Sequence, residues 1–283
     1  MTITTMQGAS REALASAWAN VERALTGAGS GAAHASSAEA ARMSDELFAV
    51  VDVLDEQVAL RRALSDPAID ADRKAGLIES VLAAHVGANT LAVMRDVVRS
   101  RWSRMRDLGD AVEQLAVLAR LVAADRADQG DEIEDELFRL ARIIENQGAL
   151  REALGDANLP VANKADLVHA LLDGKATDST IALAVQLVRH PRGRKPEVSL
   201  AEYGDIAARR ANRSVARVTT ATLLSDEQRA RLRTALATMY GRDVQLQIEL
   251  DAHVVGGLVV QVGDEIIDGS IAGRLADARQ RLK

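Results

Sequence analysis

The feature that most constrains this chain is an internal repeat. Asp45 to Leu64 reads DELFAVVDVLDEQVALRRAL and Asp135 to Leu154 reads DELFRLARIIENQGALREAL, with ten of the twenty paired positions identical at an offset of 90 residues. Chance matching at ordinary compositions gives about one or two. The same offset pairs Asp66 with Asp156, Lys74 with Lys164, Leu77 with Leu167 and Leu82 with Leu172. Farther on it pairs Thr90 with Thr180, Arg99 with Arg189 and Arg104 with Arg194. A register held without a gap from Asp45 to Arg104 is a duplication rather than a shared bias toward Ala and Leu.

Each copy reads as helices. Leu47, Val50, Val51, Leu54, Val58 and Leu64 recur at three- and four-residue steps and form one buried stripe. The stripe predicts a single helix ending near Ser65-Asp66-Pro67, because the residue before a proline avoids helical geometry. Shorter helices are expected over about 72–85 and 89–100, and a longer one over about 104–126. The second copy repeats this succession to about residue 212. Ahead of the first copy, residues 10–25 read as a helix, and TGAGSGAAHASSA (26–38) has the composition of a flexible tether. No separate first helix precedes the second copy, so the segment 104–128 ends one bundle, begins the next, or does both. Apolar residues make up 48% of the chain but aromatics only 2%, so any core is assembled from Ala, Leu, Val and Ile on long helices.

The pattern changes after residue 212. Residues 213–222, RSVARVTTAT, are β-branched and alternating. Residues 225–241 read as a helix, with Ser225 and Gln228 placed for a capping box and Gly241 at its end. DVQLQIEL puts Val244, Leu246, Ile248 and Leu250 on one face of a strand. LVVQV and EIID flank Gly263-Asp264 as a tight hairpin, and a last helix is expected over 270–282. The expected fold is mostly α: two tandem helical bundles over 1–128 and 129–212, then a small α+β domain over 213–283 in the order β-α-β-β-β-α.

Charge and composition exclude several function classes. A net charge of −6 argues against a nucleic-acid partner, which calls for a broadly basic face. The absence of cysteine excludes disulfides, thiolate catalysis and Cys-based zinc sites. The first residues, MTITTMQGASREALASAW, have no basic region leading into an apolar run, so no secretory signal is read there. No stretch approaches the ~18 uninterrupted apolar residues of a membrane span. A soluble cytoplasmic protein is expected. His34, His85, His169, His190 and His253 are scattered without paired-ligand spacing and are expected mostly at the surface. No catalytic constellation, metal or cofactor is expected.

The glycine-punctuated run from His253 to Arg279, HVVGGLVVQVGDEIIDGSIAGRLADAR, admits a chemical reading: a phosphate cradle with Asp264 and Asp268 holding a metal. Neither GxxxxGK[ST] nor a GxGxxG between strand and helix is present. Gly256-Gly257 precede a strand, Gly263 sits in a hairpin, and Gly269 precedes the final helix, where Asp268 and Ser270 are natural caps. Architecture is the stronger reading.

The string VQLQIELDAHVVGGLVVQVGDEIIDGSIAGRL resembles the C-terminal signature of the delta subunit of F-type ATP synthases, the bacterial relative of the oligomycin-sensitivity-conferring protein. The likeness runs without a gap through Asp251, Gly256, Gly257, Gly263, Asp264, Asp268, Gly269 and Ser270. Looser likeness lies upstream, at Leu64 to Ile69, Lys74 and Arg104 in the first copy and at Leu154, Asp156, Leu159, Lys164 and Arg194 in the second. The usual family member carries one helical bundle. A doubled bundle is the enlarged form expected in actinobacteria.

The resemblance implies a non-catalytic subunit of the peripheral stalk, present once per complex, on the cytoplasmic face of the cell membrane and touching the membrane only through partners. Its helical part would bind the N-terminal helix of an alpha subunit, and its C-terminal domain, with the signature residues, would hold the ends of the b subunits. On the first helix Leu14, Trp18, Val21 and Leu25 suit a core, while Ala13, Ala17, Asn20 and Ala24 form a stripe that a partner helix could approach closely. Packing against the chain's own helices explains that stripe equally well. Basic clusters at Arg99, Arg101, Arg104 and Arg106, and at Arg189, Arg192, Arg194 and Lys195, suit either acidic partner segments or solvated loops. Arg104 and Arg194 are the candidate interface residues among them. Two competing readings are a generic helical-repeat scaffold and an enzyme binding a phosphorylated ligand at the glycine-rich tail.

Overall fold

The computed structural model describes residues 6–26, 35–156, 158–213, 215–222, 224–240, 244–251, 254, 256–262 and 265–268. The chain forms two compact units, Met1–Ala207 and Ala208–Lys283.

In the first unit, α1 (Ala9–Thr26) is followed by α2 (Ser37–Glu56), α3 (Val58–Ser65), α4 (Ala71–Leu82) and α5 (Ala88–Arg99). After α6 (Met105–Arg126) the same succession returns as α7 (Gly130–Asn146), α8 (Gly148–Gly155), α9 (Val161–Leu172) and α10 (Asp178–Arg189). Helix α11 (Pro196–Arg213) closes the unit and runs past its boundary. The tether read over 26–38 lies partly outside the described residues. Its last two residues already belong to α2, where Ser36 and Glu39 form a reciprocal capping box.

The missing first helix of the second copy is α6. An ordinary surface helix keeps one polar face toward water. Here every residue from Ala111 to Ala124 is buried. Helix α6 packs on α1, α2, α3 and α5 of the first copy and on α7 and α10 of the second. It ends one bundle and begins the next, and a single hydrophobic core extends from Met6 to Ala207.

The duplication extends to polar detail. Glu46 on α2 accepts hydrogen bonds from the Gly87 N–H at 3.0 Å and from the Thr90 hydroxyl, at the start of α5. Its counterpart Glu136 on α7 accepts from the Thr177 N–H at 3.0 Å and the Thr177 hydroxyl at 2.8 Å, at the start of α10. Each carboxylate thus satisfies an orphan N–H at a helix start and complements its dipole. Thr90, Gly87 and Arg42 together outweigh the burial of Glu46 and hold its carboxyl below the ordinary range.

The long helix expected to run to Ser65 is broken at Gln57, with φ −99° and ψ 75°, and its copy is broken identically in kind at Gln147, with φ −112° and ψ 89°. An arginine downstream satisfies a carbonyl freed by each break: Arg61 donates to the Leu54 carbonyl at 2.9 Å, and Arg151 to the Glu145 carbonyl at 3.0 Å.

The second unit contains β1 (Val215–Thr220), α12 (Asp226–Tyr240), β2 (Gln245–Leu250), β3 (Leu258–Val262) and β4 (Glu265–Asp268). The sheet order is β2-β1-β3-β4, with β1 parallel to β2 and the other pairs antiparallel. Helix α12 supplies the crossover that a parallel pair demands. Ser225 and Gln228 form the expected reciprocal cap. Ala216, Val218, Leu236, Val244, Val260 and Val262 make the core. Among the described residues no helix is long and apolar enough to cross a membrane.

Candidate functional site

The densest polar site in the helical unit is the turn from His190 to Lys195, HPRGRK, which joins α10 to α11. The turn needs left-handed backbone at Arg192 (φ 48°) and Gly193 (φ 72°). That conformation is uncommon for a residue with a side chain. The contacts of Arg192 fix it in place. Its guanidinium reaches Asp55 at 3.1 Å on α2, and Asp110 and Glu113, both at 3.0 Å, on α6. Arg194 pairs with the same Glu113 and, at 2.8 Å, with Glu202 on α11. The Tyr203 hydroxyl donates to Glu113 at 2.9 Å. Glu113 is fully buried (0% exposed) and takes three donors from the second copy.

Burial sets the ionisation of these groups. It pushes the Tyr203 hydroxyl well up, with Glu113 adding to the effect. Burial works against a charged Arg194, but Glu113, Tyr203 and Glu202 outweigh it and hold the guanidinium above its ordinary value. The Asp110 carboxyl is raised by burial, against the pull of Arg192 and Arg106. His190 is buried rather than at the surface. Its Nδ1 lies 2.9 Å from Asp52, and its ring stacks on Phe48 at 6.0 Å. Burial lowers its pKa despite Asp52, Glu113 and Asp55.

Arg189 and Lys195 of the second basic cluster are exposed, but its other two members are not solvated. Arg192 and Arg194 neutralise carboxylates inside the chain and tie the two copies together. Arg104, the counterpart of Arg194, keeps a 58% exposed side chain while reaching Asp107 at 3.1 Å. Asp107 is buried and also accepts from Ser10 at 2.7 Å. Ala13 and Ala17 lie in the core, on the side of α1 that packs against α5 and α6, and Ala24 is partly buried against that core. Asn20 is half-buried and donates to Asp96 on α5 at 3.1 Å. Of the six candidate interface residues, the structure keeps Asn20, Ala24 and Arg104 accessible and covers Ala13, Ala17 and Arg194.

In the C-terminal unit, Gly256 and Gly257 adopt φ of 65° and 80°, the conformations a bend before β3 requires of glycine. The Asp251 N–H donates to the Thr220 carbonyl at 3.0 Å, extending the β1–β2 ladder. Asp268 closes β4 opposite Val259. Gly263, Asp264, Gly269, Ser270 and the expected last helix lie outside the described residues. Among the described residues no group of three or more His, Cys, Asp or Glu could hold a metal ion.

A duplicated bundle built around one buried helix, its densest cluster of charges paired within the chain, defines a helical scaffold class. The model of the family "ATP synthase delta (OSCP) subunit" matches residues 118–282, which begin inside α6 and take in the second copy and the C-terminal unit. ATP synthase subunit delta of Acidothermus cellulolyticus is 52% identical over 98% of this chain and 99% of its own length. That of Streptomyces avermitilis is 48% identical over 98% and 99%, and that of Rhodococcus opacus 43% over 99% and 100%. A chain of the Toxoplasma gondii mitochondrial ATP synthase hexamer is 18% identical over 59% of this chain and 94% of its own, with a TM-score of 0.29. This chain belongs to the ATP synthase delta (OSCP) subunit family, the non-catalytic delta subunits of that complex. Neither the unrelated scaffold nor the phosphate-binding enzyme survives this membership.

Proposed function

We propose that this subunit is the stator adaptor of its ATP synthase, one per complex, joining the N-terminal helix of an alpha subunit to the ends of the b subunits. In this reading it lies on the cytoplasmic face of the membrane, attached through its partners, and keeps the catalytic head stationary while the central shaft turns. Such a joint needs a firm protein–protein interface rather than a small polar site. The division into bundles 1–128 and 129–212 and a domain 213–283 belongs to the same proposal.

The observation that carries the alpha-subunit side is an asymmetry between the copies. Two equivalent seams exist, α1–α5 and α6–α10. The second is covered: α6 is buried from Ala111 to Ala124, and α10 is buried at Ile181, Leu183, Ala184, Val185, Leu187 and Val188. The first keeps Asn89, Ala92, Asp96 and Arg99 exposed on α5 beside Asn20 and Ala24. A helix laid along α1 would run about 20 Å from Arg104 at one end to Ala24 at the other. The C-terminal residues Asp251, Gly256, Gly257, Gly263, Asp264, Asp268, Gly269 and Ser270 belong to the b-subunit side.

Calorimetric titration of an alpha-subunit N-terminal peptide into the full chain tests this. Saturable binding that Ala24→Trp weakens at least about tenfold, roughly 1.4 kcal/mol, supports the α1–α5 seam. Unchanged binding to Ala24→Trp places the peptide elsewhere. No binding to the wild-type chain removes the adaptor assignment.

A further inference from the structure

Helix α2 lies along α6 beside the covered α6–α10 seam, and its contacts fix its direction. The Ser37 hydroxyl donates to the Ala123 carbonyl at 2.7 Å. Arg120 donates to the Ala41 carbonyl at 3.4 Å and to the Asp45 carboxylate. Toward the other end, Asp55 shares the Arg192 guanidinium with Asp110 and Glu113. Residue numbers rise along α2 as they fall along α6, so the two helices are antiparallel. At that same end α2 reaches α10. His190, its cap, stacks on Phe48 at 6.0 Å and lies 2.9 Å from Asp52.

The open α1–α5 seam has the same backbone plan. Ser10, at the start of α1, accepts from the Ser103 N–H at 2.7 Å in the loop after α5. Asp110 and Glu113, in the first half of α6, hold Arg192 in the loop after α10. The two loops, 100–104 and 190–194, stand at paired positions of the repeat. The contacts themselves differ. Ser100 and Trp102 stand where His190 and Arg192 do, and Trp102 is buried with its indole N–H donated to the Val97 carbonyl at 2.9 Å. Side-chain chemistry is therefore not transferable from one seam to the other, but a direction is.

Charge points to the same direction by an independent route. A helix C-terminus is stabilised by cations and by the N-termini of its neighbours. The loop end of the seam holds the starts of both α1 and α6, joined by the Ser10–Asp107 hydrogen bond of 2.7 Å. Arg101, Arg104 and Arg106 are exposed there. Arg104 and Arg106 each keep one carboxylate of α6, Asp107 and Asp110, and Arg101 has no ion pair among the described residues. The other end presents Ala24, Asn89 and Ala92, with Arg23 already donating to Asn20 at 2.8 Å.

We propose that the helix bound along the α1–α5 seam runs antiparallel to α1, as α2 runs along α6. This deepens the reading that the seam takes the N-terminal helix of an alpha subunit, and rests on it. The bound helix begins beside Ala24 and Ala92 and ends at the α5–α6 loop. The alpha chain then continues into its own body from the arginine end of the seam.

The test is a pair of distances. The chain has no cysteine, so a nitroxide can be attached at one position at a time. His85→Cys marks the residues before α5 and Met105→Cys those after the loop, separated by the length of α5, about 18 Å for its twelve residues. A second nitroxide sits on the first residue of an alpha-subunit N-terminal peptide bound to the full chain, and pulsed dipolar spectroscopy reads the separation. The expected distance is shorter from residue 85 than from residue 105, by about 10 Å or more. The opposite order overturns the proposal and leaves the seam assignment standing. Equal distances place the helix across the seam and overturn it as well. A peptide that does not bind the wild-type chain removes the adaptor reading, and the direction with it.

Discussion

A methyl group added to Gly109 on α6 would stand 2.7 Å from Nη2 of Arg192, in the loop that follows α10. Glycine lowers helix stability by about 1 kcal/mol relative to alanine in an exposed interior. At this position it opens the space through which a guanidinium from the second copy reaches the first. Arg192 is 7% exposed and held by Asp55, Asp110 and Glu113, so it cannot swing aside without abandoning charged partners.

Gly109→Ala is therefore expected to destabilise the chain by about 1–2 kcal/mol, the loss of charge-assisted hydrogen bonds exceeding the helix gain. Gly76→Ala on α4 is the control, because nothing lies within 4 Å of the added carbon there. It should stabilise by about 0.5–1 kcal/mol. Urea denaturation of both variants checks the pair, and stabilisation by both would mean that Arg192 yields freely.

Removing the charge that binds two guanidinia should cost more. Glu113→Gln removes the buried charge that Arg192 and Arg194 share and leaves one acceptor oxygen for three donors, Tyr203 included, with an amide NH2 in place of the other. Breaking one side of a buried ion pair costs about 3–5 kcal/mol. The expected signature is a large fall in denaturation midpoint, with α7 to α10 losing hydrogen-exchange protection before α1 to α5. A loss below about 1 kcal/mol would show that the two copies are held together by α6 packing alone.

Much of this architecture was legible before any coordinates. The 90-residue register located both copies, and the shift from helical spacing to alternation located the sheet. The missing helix before the second copy pointed at α6, although sequence alone left open whether it served one bundle or both. Gln57 and Gln147 were invisible as breaks, because the apolar spacing continues through them. The ion cluster was hidden for a different reason. Glu113 and its arginines lie 79 and 81 residues apart, and basic residues around Pro191 and Gly193 look like a solvated turn. The one signal available was Glu113-Gln114 within an otherwise apolar stretch of α6. The small-residue stripe was open to a partner helix or to the chain's own helices, and Ala13 and Ala17 lie in the core of a unit whose α1 packs on α5 and α6.

His190 makes the junction sensitive to acid. Its ring is faced by Asp52 and Asp55 from α2, Glu113 from α6 and Arg192 from its own loop. Burial nonetheless lowers its pKa from the ordinary 6.5, so the unfolded chain binds the proton more readily than the folded one. This contribution to stability is complete above about pH 6.5 and is lost as the pH falls toward the folded value. Asp110, whose carboxyl is raised, acts in the opposite sense at lower pH. Stability measured between about pH 5 and 8 should therefore decline on the acid side in the wild type and decline less in His190→Gln. Identical slopes would remove His190 as the cause.

The paired phenylalanines place one position of the repeat in two environments. Phe48 is enclosed by its own copy and the His190 ring, so Phe48→Ala opens a cavity and should cost about 3–5 kcal/mol. Phe138 meets solvent over most of its surface, so Phe138→Ala should change stability by less than about 0.5 kcal/mol. Thermal unfolding of the two variants at one pH and salt concentration reads the contrast directly. Equal losses would mean that Phe138 is covered in the folded chain and that the two copies present equivalent faces. The expected inequality leaves the ring of one copy closed by the loop of its neighbour and the same ring of the other copy exposed.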